Sequence, residues 1–207
     1  MLHSKMTHFS SMIARTTVLT VLAFAVALAT LHATNLSRQQ ADAFQRKIDT
    51  ITRQGASASA RPGVRRTPVS ETEVNSWFAY RSQALLPRGI ADPHITIVGN
   101  GKLMGTVLVD LSAVTNGSSL SPFTYFSGRV PVNVSGVLHT QDGEGRFDLE
   151  SSDIGGVPVP KPLIQQVLSH YSKTESHPQG VRLDDPFELP ANIQKIEVGQ
   201  GQAVVVQ

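Results

Sequence analysis

The chain has no cysteine, and aromatic residues make up only 6% of its 207 residues. The absence of cysteine excludes disulfides, thiol catalysis, cysteine-based zinc sites and a lipid anchor on an N-terminal cysteine. The histidines after residue 69 do not form an i, i+4 pair or an HExxH motif, which are the usual signs of a zinc site. We therefore expect neither a metal nor a cofactor. These histidines are His94, His139, His170 and His177.

Positive charge is concentrated in the first third of the chain. Residues 1–69 carry a formal net charge of +7, whereas residues 70–207 carry −5. A protein that binds nucleic acid needs a clustered basic surface to neutralise phosphates. We therefore expect no nucleic-acid binding by residues 70–207.

An uncharged, mostly apolar run covers residues 16–35 and follows Lys5 and Arg15. Basic residues, an apolar stretch and the small-residue triplet Ala27-Leu28-Ala29 are typical of a secretory signal peptide. The run is also long enough to cross a bilayer uncleaved. Residues 1–34 are thus predicted to be a signal peptide or a signal anchor, which places the protein in the periplasm or cell envelope. The basic residues that follow favour the opposite orientation for an anchor, so a cytoplasm-facing domain stays open.

Residues 35–69 are predicted to be a basic amphipathic segment followed by a flexible linker. Apolar residues recur every three or four positions over 36–54, while arginine and lysine occupy the other face. Such a helix could contact a membrane surface, so that residues 16–54 together face the membrane, or it could pair with a partner helix. It could also be a partly ordered stalk. The small, polar and proline-containing stretch 55–68 is typical of a linker.

A single domain is predicted over residues 70–207, and its first element is a helix. Ser70 and Glu73 have the spacing of a capping box, and Val69 can pack on Val74 as a hydrophobic staple. Pro87 and Gly89 are expected to end this helix near Leu86.

Three hairpins are predicted after this helix. Alternating apolar residues flank the turns Gly99–Gly101, 141–145 and Gly199–Gly201. Between the second and third hairpins, the corner 155–160 is expected to leave the sheet because its prolines lack backbone donors. An amphipathic helix over 162–171 follows. The predicted fold class is α+β: a curved antiparallel sheet of about six strands with two amphipathic helices packed on one face.

Carboxylates are the only groups with a pattern that fits catalysis. Asp148 and Glu150 lie two residues apart on a strand and point to one face, and Asp184 lies in a polar loop. A hydrolase that uses them is one alternative. Because no base, nucleophile and orienting group occur together, we predict a non-catalytic protein and name no catalytic residue.

The predicted sheet offers more apolar surface than the helices can cover. Six strands span roughly 29 Å at about 4.8 Å each, whereas two helices about 10 Å wide cover roughly 20 Å. The loop 112–128 and sheet curvature can close the remaining strip, or the strip can form a groove for an acyl chain. The candidate lining residues are Val130, Val132, Val134, Leu138, Phe147, Leu149, Leu163 and Val167.

Four short motifs resemble segments of bacterial envelope proteins that carry an N-terminal leader. They are Glu71-x-Glu73-x-Asn75, Gly105-Thr-Val-Leu-Val-Asp-Leu111, Gly128-Arg-Val-Pro-Val-Asn-Val-Ser-Gly-Val-Leu138 and Gly155-Gly-Val-Pro-Val-Pro160. The pattern of helices on a curved sheet is similar to that of LmeA-type and AsmA-type lipid-handling proteins, which have elongated tubular lipid-binding folds. The resemblance implies a lipid or lipoconjugate ligand and an envelope setting, and it transfers no catalytic residue.

Two functions from different classes follow from these observations. The first is an exported or membrane-tethered protein that binds a lipid or another apolar small molecule. The second is a structural or adaptor module whose remaining apolar face binds an envelope protein partner.

Overall fold

The structure is a computed structural model, and it describes residues 35–56, 63–113, 128–175 and 177–207. The predicted leader 1–34, residues 57–62 of the predicted linker and residues 114–127 of the loop 112–128 lie outside the described residues. The chain from Leu36 to Gln207 forms one compact unit.

The described residues form three α-helices and nine strands. The helices are α1 (Arg38–Ala56), α2 (Glu71–Tyr80) and α3 (Lys161–Tyr171). The strands are β1 (Arg66–Ser70), β2 (Ile90–Gly99), β3 (Lys102–Asp110), β4 (Arg129–Gln141), β5 (Glu144–Ile154), β6 (Val157–Pro158), β7 (Phe187–Glu188), β8 (Lys195–Gly199) and β9 (Gln202–Val206).

The strands form two antiparallel sheets. The larger has six strands in the order β2-β3-β4-β5-β6, with β7 also paired to β5. The smaller has three strands in the order β1-β9-β8. The predicted α+β class and a six-stranded antiparallel sheet are confirmed. The third hairpin, however, lies in the smaller sheet, because β9 pairs with β1 along Arg66–Ser70, a segment that we assigned largely to the linker.

Two of the hairpin turns have the backbone that their sequences predict. Asn100 and Gly101 have φ angles of 53° and 82°, and Asp142 and Gly143 have φ angles of 52° and 84°. Two successive residues in the left-handed region match the right-handed twist of the flanking strands, and Asn-Gly and Asp-Gly adopt this conformation at low cost. The turns thereby fix the registers of β2 on β3 and of β4 on β5.

The proline-rich corner does not leave the sheet completely. Val157 and Pro158 pair with Ile154 and Asp153 as the short strand β6. A proline is tolerated here because β6 lies at the sheet edge, where a missing N–H does not interrupt the ladder. The expectation that the corner cannot continue the sheet is therefore wrong for these two residues.

Helix α1 is part of the folded unit. Its Ala41 is fully buried and its Ile51 is buried with Leu189 and Ile193 of the C-terminal segment. Phe44 packs edge-on against Trp77 of α2, with 6.1 Å between the ring centroids. The fold therefore begins near Leu36 rather than at residue 70. The apolar stripe that we considered for a membrane surface contacts the protein itself.

The main core lies between α3 and one face of the larger sheet. Its buried residues come from β3, β4, β5 and α3, and from the residue that follows β3. They are Val109, Leu111, Val132, Ile154, Ile164 and Val167. The alternation of apolar residues along the strands and the apolar stripe of α3 produce this contact, as their periods of two and 3.6 residues predict.

Candidate ligand-binding groove

An apolar groove lies beside the main core and shares Val107, Val132 and Val134 with it. Its volume is about 260 Å³ and its lining is almost wholly apolar. Strands β2, β3 and β4 form the floor, and Phe78 of α2 forms a wall. The lining residues are Phe78, Pro93, His94, Ile95, Gly105, Thr106, Val107, Val132 and Val134.

Gly105 leaves a gap in the middle of the groove floor. It pairs with Ile95 on β2 and with Val134 on β4, so these three residues form one row across the sheet. A Cβ atom at position 105 would lie 3.5 Å from the nearest side-chain atom, Val134 Cγ2, which is an ordinary van der Waals distance. The fold does not need a glycine here, although glycine weakens a strand interior. The missing side chain instead keeps the floor open.

The Phe78 wall is held in place by the anchoring of α2. The Ser70 hydroxyl accepts a hydrogen bond from the Glu73 backbone N–H at 3.2 Å, and the Glu73 carboxylate accepts one from the Ser70 N–H at 2.8 Å. The predicted capping box is thus confirmed. Lys47 Nζ of α1 adds contacts of 2.6 and 2.8 Å to the same carboxylate.

The environment of Glu73 favours its charged form. Burial acts to raise the pKa of Glu73, but the hydrogen bonds from Lys47 and Ser70 and the charge of Lys47 outweigh it, so the pKa lies below its ordinary value. The carboxylate thereby ties α1, the cap and α2 together, and with them the position of Phe78.

Helix α3 packs on the part of the larger sheet that forms the main core. The Tyr171 hydroxyl at its C-terminal end donates a hydrogen bond to the Asp110 carbonyl at the end of β3. Burial, together with the negative charge of Asp110, raises the pKa of Tyr171, so the phenol stays protonated and remains a donor. This bond fixes α3 over the far end of β3, beyond the groove.

A second depression adjoins the groove and differs from it in polarity. Its volume is about 270 Å³, and it shares Phe78, Pro93 and His94 with the groove. Asp92, Gln83 and Asn75 bring polar groups to its lining. An elongated ligand would therefore meet an apolar surface on one side of Phe78 and a mixed, partly polar surface on the other.

Only two of the eight predicted lining residues lie in the groove, namely Val132 and Val134. Val130, Leu163 and Val167 belong to the main core, where α3 covers them. Leu138 lies outside the groove, in a larger open depression near the β4–β5 turn.

The remaining two predicted lining residues are on β5. Phe147 lies against Gly136, where an added Cβ would come within 2.6 Å of the ring. Leu149 is half-buried and pairs with Gly136. Neither lines the groove, which is bounded by β2, β3 and β4. Sequence reasoning missed Phe78 and Gly105; the one available signal was a glycine within an otherwise alternating strand.

The candidate catalytic carboxylates each have basic partners. Asp148 contacts His139 Nε2 and Arg146 Nε, both at 3.1 Å. Glu150 contacts Lys102 at 2.6 Å, and Asp184 pairs with Lys161. These side chains are exposed, as expected for a solvated outer face.

Two features are absent from the described residues. They contain no group of three or more histidine, cysteine or acidic side chains arranged to hold a metal ion. Among the same residues, no helix is long and apolar enough to cross a membrane.

Comparison of the chain with protein-family models, with curated proteins and with solved structures found no match.

Proposed function

We propose that this protein is a non-catalytic lipid-binding protein of the bacterial envelope, exported or tethered by residues 1–34. In this proposal the larger sheet is curved, and α2 and α3 lie on its concave face with the groove between them. We also propose that the resemblance to LmeA-type and AsmA-type domains reflects a similar lipid-binding role.

The observation that carries the proposal is the groove floor. Ile95, Val107, Val132 and Val134 present aliphatic side chains, and Gly105 leaves room above them. Contact with an alkyl chain would remove this surface from water, which is favourable by about 0.8 kcal/mol for each buried methylene group. At about 260 Å³, the groove is slightly smaller than the roughly 300–1,000 Å³ of typical ligand pockets. It suits one alkyl chain better than a two-chain lipid.

Native mass spectrometry of the full-length protein, purified from a bacterial envelope without detergent, tests this proposal. We expect an additional mass that organic extraction identifies as a lipid. The full chain is needed because α1 and β1 are part of the fold. An apoprotein that also takes up no offered single-chain lipid would contradict the proposal.

The Gly105→Leu variant tests whether the ligand binds in the groove. The added side chain would occupy the floor and displace about two methylene groups of the ligand, which corresponds to roughly a tenfold loss of affinity. Gly199→Ala is the matched control, because Gly199 is also a strand glycine whose Cβ would have its nearest contact at 3.6 Å. It lies outside the groove, and we expect it to bind like the unmodified protein.

A protein partner is the second candidate function, and the opposite face of the larger sheet favours it. Val98 and Met104 are 40% and 47% exposed there. Concentration-dependent association or capture of one envelope protein, without any carried lipid, would favour this adaptor function.

A further inference from the structure

Asp92 lies at a break in β2, next to the groove. The pairing of β2 with β3 is irregular between Ala91 and His94, and Asp92 has a φ angle of 47°. A bulge of this kind redirects side chains and is common next to binding sites. Here it places Asp92 in the lining of the second depression, while Ile95 remains in the groove floor.

The Asp92 side chain is exposed and has no ion-pair partner among the described residues. Its carboxylate accepts no hydrogen bond from residues 35–56, 63–113, 128–175 or 177–207. By contrast, Asp42, Asp148 and Asp184 each pair with a basic side chain. The lining of the second depression contains no lysine or arginine. With His94 neutral, Asp92 is therefore the one lining residue that carries a formal charge, and that charge is negative.

The two depressions meet at Phe78, Pro93 and His94. A ligand whose alkyl chain lies on Val107 and Val132 would extend its head group past Phe78 toward Asp92. Opposite charges at contact distance attract even near solvent, and an ammonium group also binds favourably against an aromatic face. An anionic head group would meet repulsion from Asp92 at the same place.

We infer that the ligand is a single-chain amphiphile with a cationic, amine-bearing head group, and that Asp92 selects that head group. This inference rests on the proposed function, because it assumes an alkyl chain in the groove. Fatty acids and other single-chain anions are discriminated against for the same electrostatic reason.

Equilibrium dialysis of the full-length protein against three radiolabelled probes with the same twelve-carbon chain length tests the inference. The probes are dodecylamine, monolauroylglycerol and laurate, each below its micellar concentration and at low salt. We expect dodecylamine to bind about fivefold more tightly than the glyceride, and laurate to bind more weakly than the glyceride by a similar factor.

The Asp92→Asn variant is expected to abolish these differences, because asparagine keeps the shape and tolerates the left-handed backbone but carries no charge. Asp142→Asn is the matched control: Asp142 is also exposed and has a φ angle of 52°, but it lies on the β4–β5 turn. We expect this control to retain the preference for the amine.

The outcomes separate the two proposals. If no probe binds, or if binding survives unchanged in Gly105→Leu, both the proposed function and the inference are wrong. If all three probes bind the groove with equal affinity, or if the preference for the amine persists in Asp92→Asn, the inference fails and the apolar groove stands.

Discussion

Asn75 of α2 pairs with Ile95 of β2 as if it were a residue of a neighbouring strand. Its side-chain amide donates to the Ile95 carbonyl at 2.7 Å and accepts from the Ile95 N–H at 2.8 Å. Glu71 accepts from the Ile97 N–H at 2.7 Å, and the Gly201 N–H donates to the Ile97 carbonyl at 2.8 Å. The backbone N–H and carbonyl groups of Ile95 and Ile97 at the outer edge of β2 thus all have hydrogen-bond partners. This protects the edge from pairing with another chain.

Replacing Asn75 should strongly destabilise the protein. The residue is only 3% exposed, so Asn75→Ala would leave the N–H and the carbonyl of the half-buried Ile95 without their partner. We expect a loss of about 3 kcal/mol in the free energy of unfolding, measured by urea titration. Asn35→Ala, at an exposed position, should change it by less than about 0.5 kcal/mol. If Asn75→Ala and Asn35→Ala changed the free energy of unfolding equally, the hydrogen bonds between Asn75 and Ile95 would not contribute to stability.

Glu73 should make stability sensitive to acid. Its folded-state pKa is lowered, so its contribution is complete above its ordinary value of 4.5 and is lost as the pH falls through the folded-state pKa. Glu73→Gln cannot titrate. We expect the variant to be less stable than the unmodified protein by about 1–3 kcal/mol at neutral pH. The difference should narrow as the pH falls below 4.5.

Lys47→Met provides the control for this prediction. Removing the main partner of Glu73 should make stability less dependent on pH, as Glu73→Gln does, while the alkyl chain at position 47 is retained. A difference between Glu73→Gln and the unmodified protein that stays constant from neutral to acidic pH would contradict the account.

Glycines at two strand positions should respond to substitution in opposite directions. A Cβ at Gly136 would lie 2.4 Å from the Asp148 carbonyl oxygen and 2.6 Å from the Phe147 ring. Gly136→Ala should therefore cost about 1–3 kcal/mol through overpacking. Gly105→Ala should stabilise by about 0.4–1 kcal/mol, because the site has space and the unfolded chain loses freedom. Thermal and urea unfolding of both variants measure these changes. Destabilisation by Gly105→Ala would refute our view that the fold leaves this position open.

Helix α1 should contribute directly to stability. Ile51 is 8% exposed, and its replacement by alanine should cost about 2–4 kcal/mol through lost burial and a residual cavity. Leu85 is 71% exposed, so Leu85→Ala should have little effect under the same urea titration. If Ile51→Ala is as stable as Leu85→Ala, α1 is a loosely attached segment after all.

Local features of the fold were predictable because their causes are local. Ser70 and Glu73 form a capping box through atoms three residues apart, and Asn100-Gly101 and Asp142-Gly143 set their turns through their own backbone preferences. The helix α3 could be predicted from its apolar stripe and Pro162 near its start.

Long-range features were not predictable in the same way. The apolar stripe of α1 was evident, but a stripe does not specify whether a membrane, a partner or the rest of the chain covers it. Likewise, the alternation of Gln202–Val206 predicts a strand, whereas its pairing with Arg66–Ser70 depends on chain segments more than 130 residues apart. Periodicity shows which face of a helix or strand is apolar, but it does not show which other element packs on that face.

The groove could be predicted only in part for a related reason. The alternation on β4 placed Val130, Val132 and Val134 on one face, and that face is indeed apolar. Which of them α3 covers depends on the length and position of that helix. Val130 is therefore a core residue, whereas Val134 lines the groove.

Photo-crosslinking with a lipid that carries a diazirine on its alkyl chain tests the central claim most directly. We expect peptide mapping of the full-length protein to place the crosslinks on Phe78, on residues 105–107 of β3 and on residues 132–134 of β4, and Gly105→Leu to remove them. Crosslinks that fall mainly on α1, on the depression near Leu138 or evenly over the surface, and that persist in Gly105→Leu, would contradict a ligand-binding groove between α2 and the larger sheet.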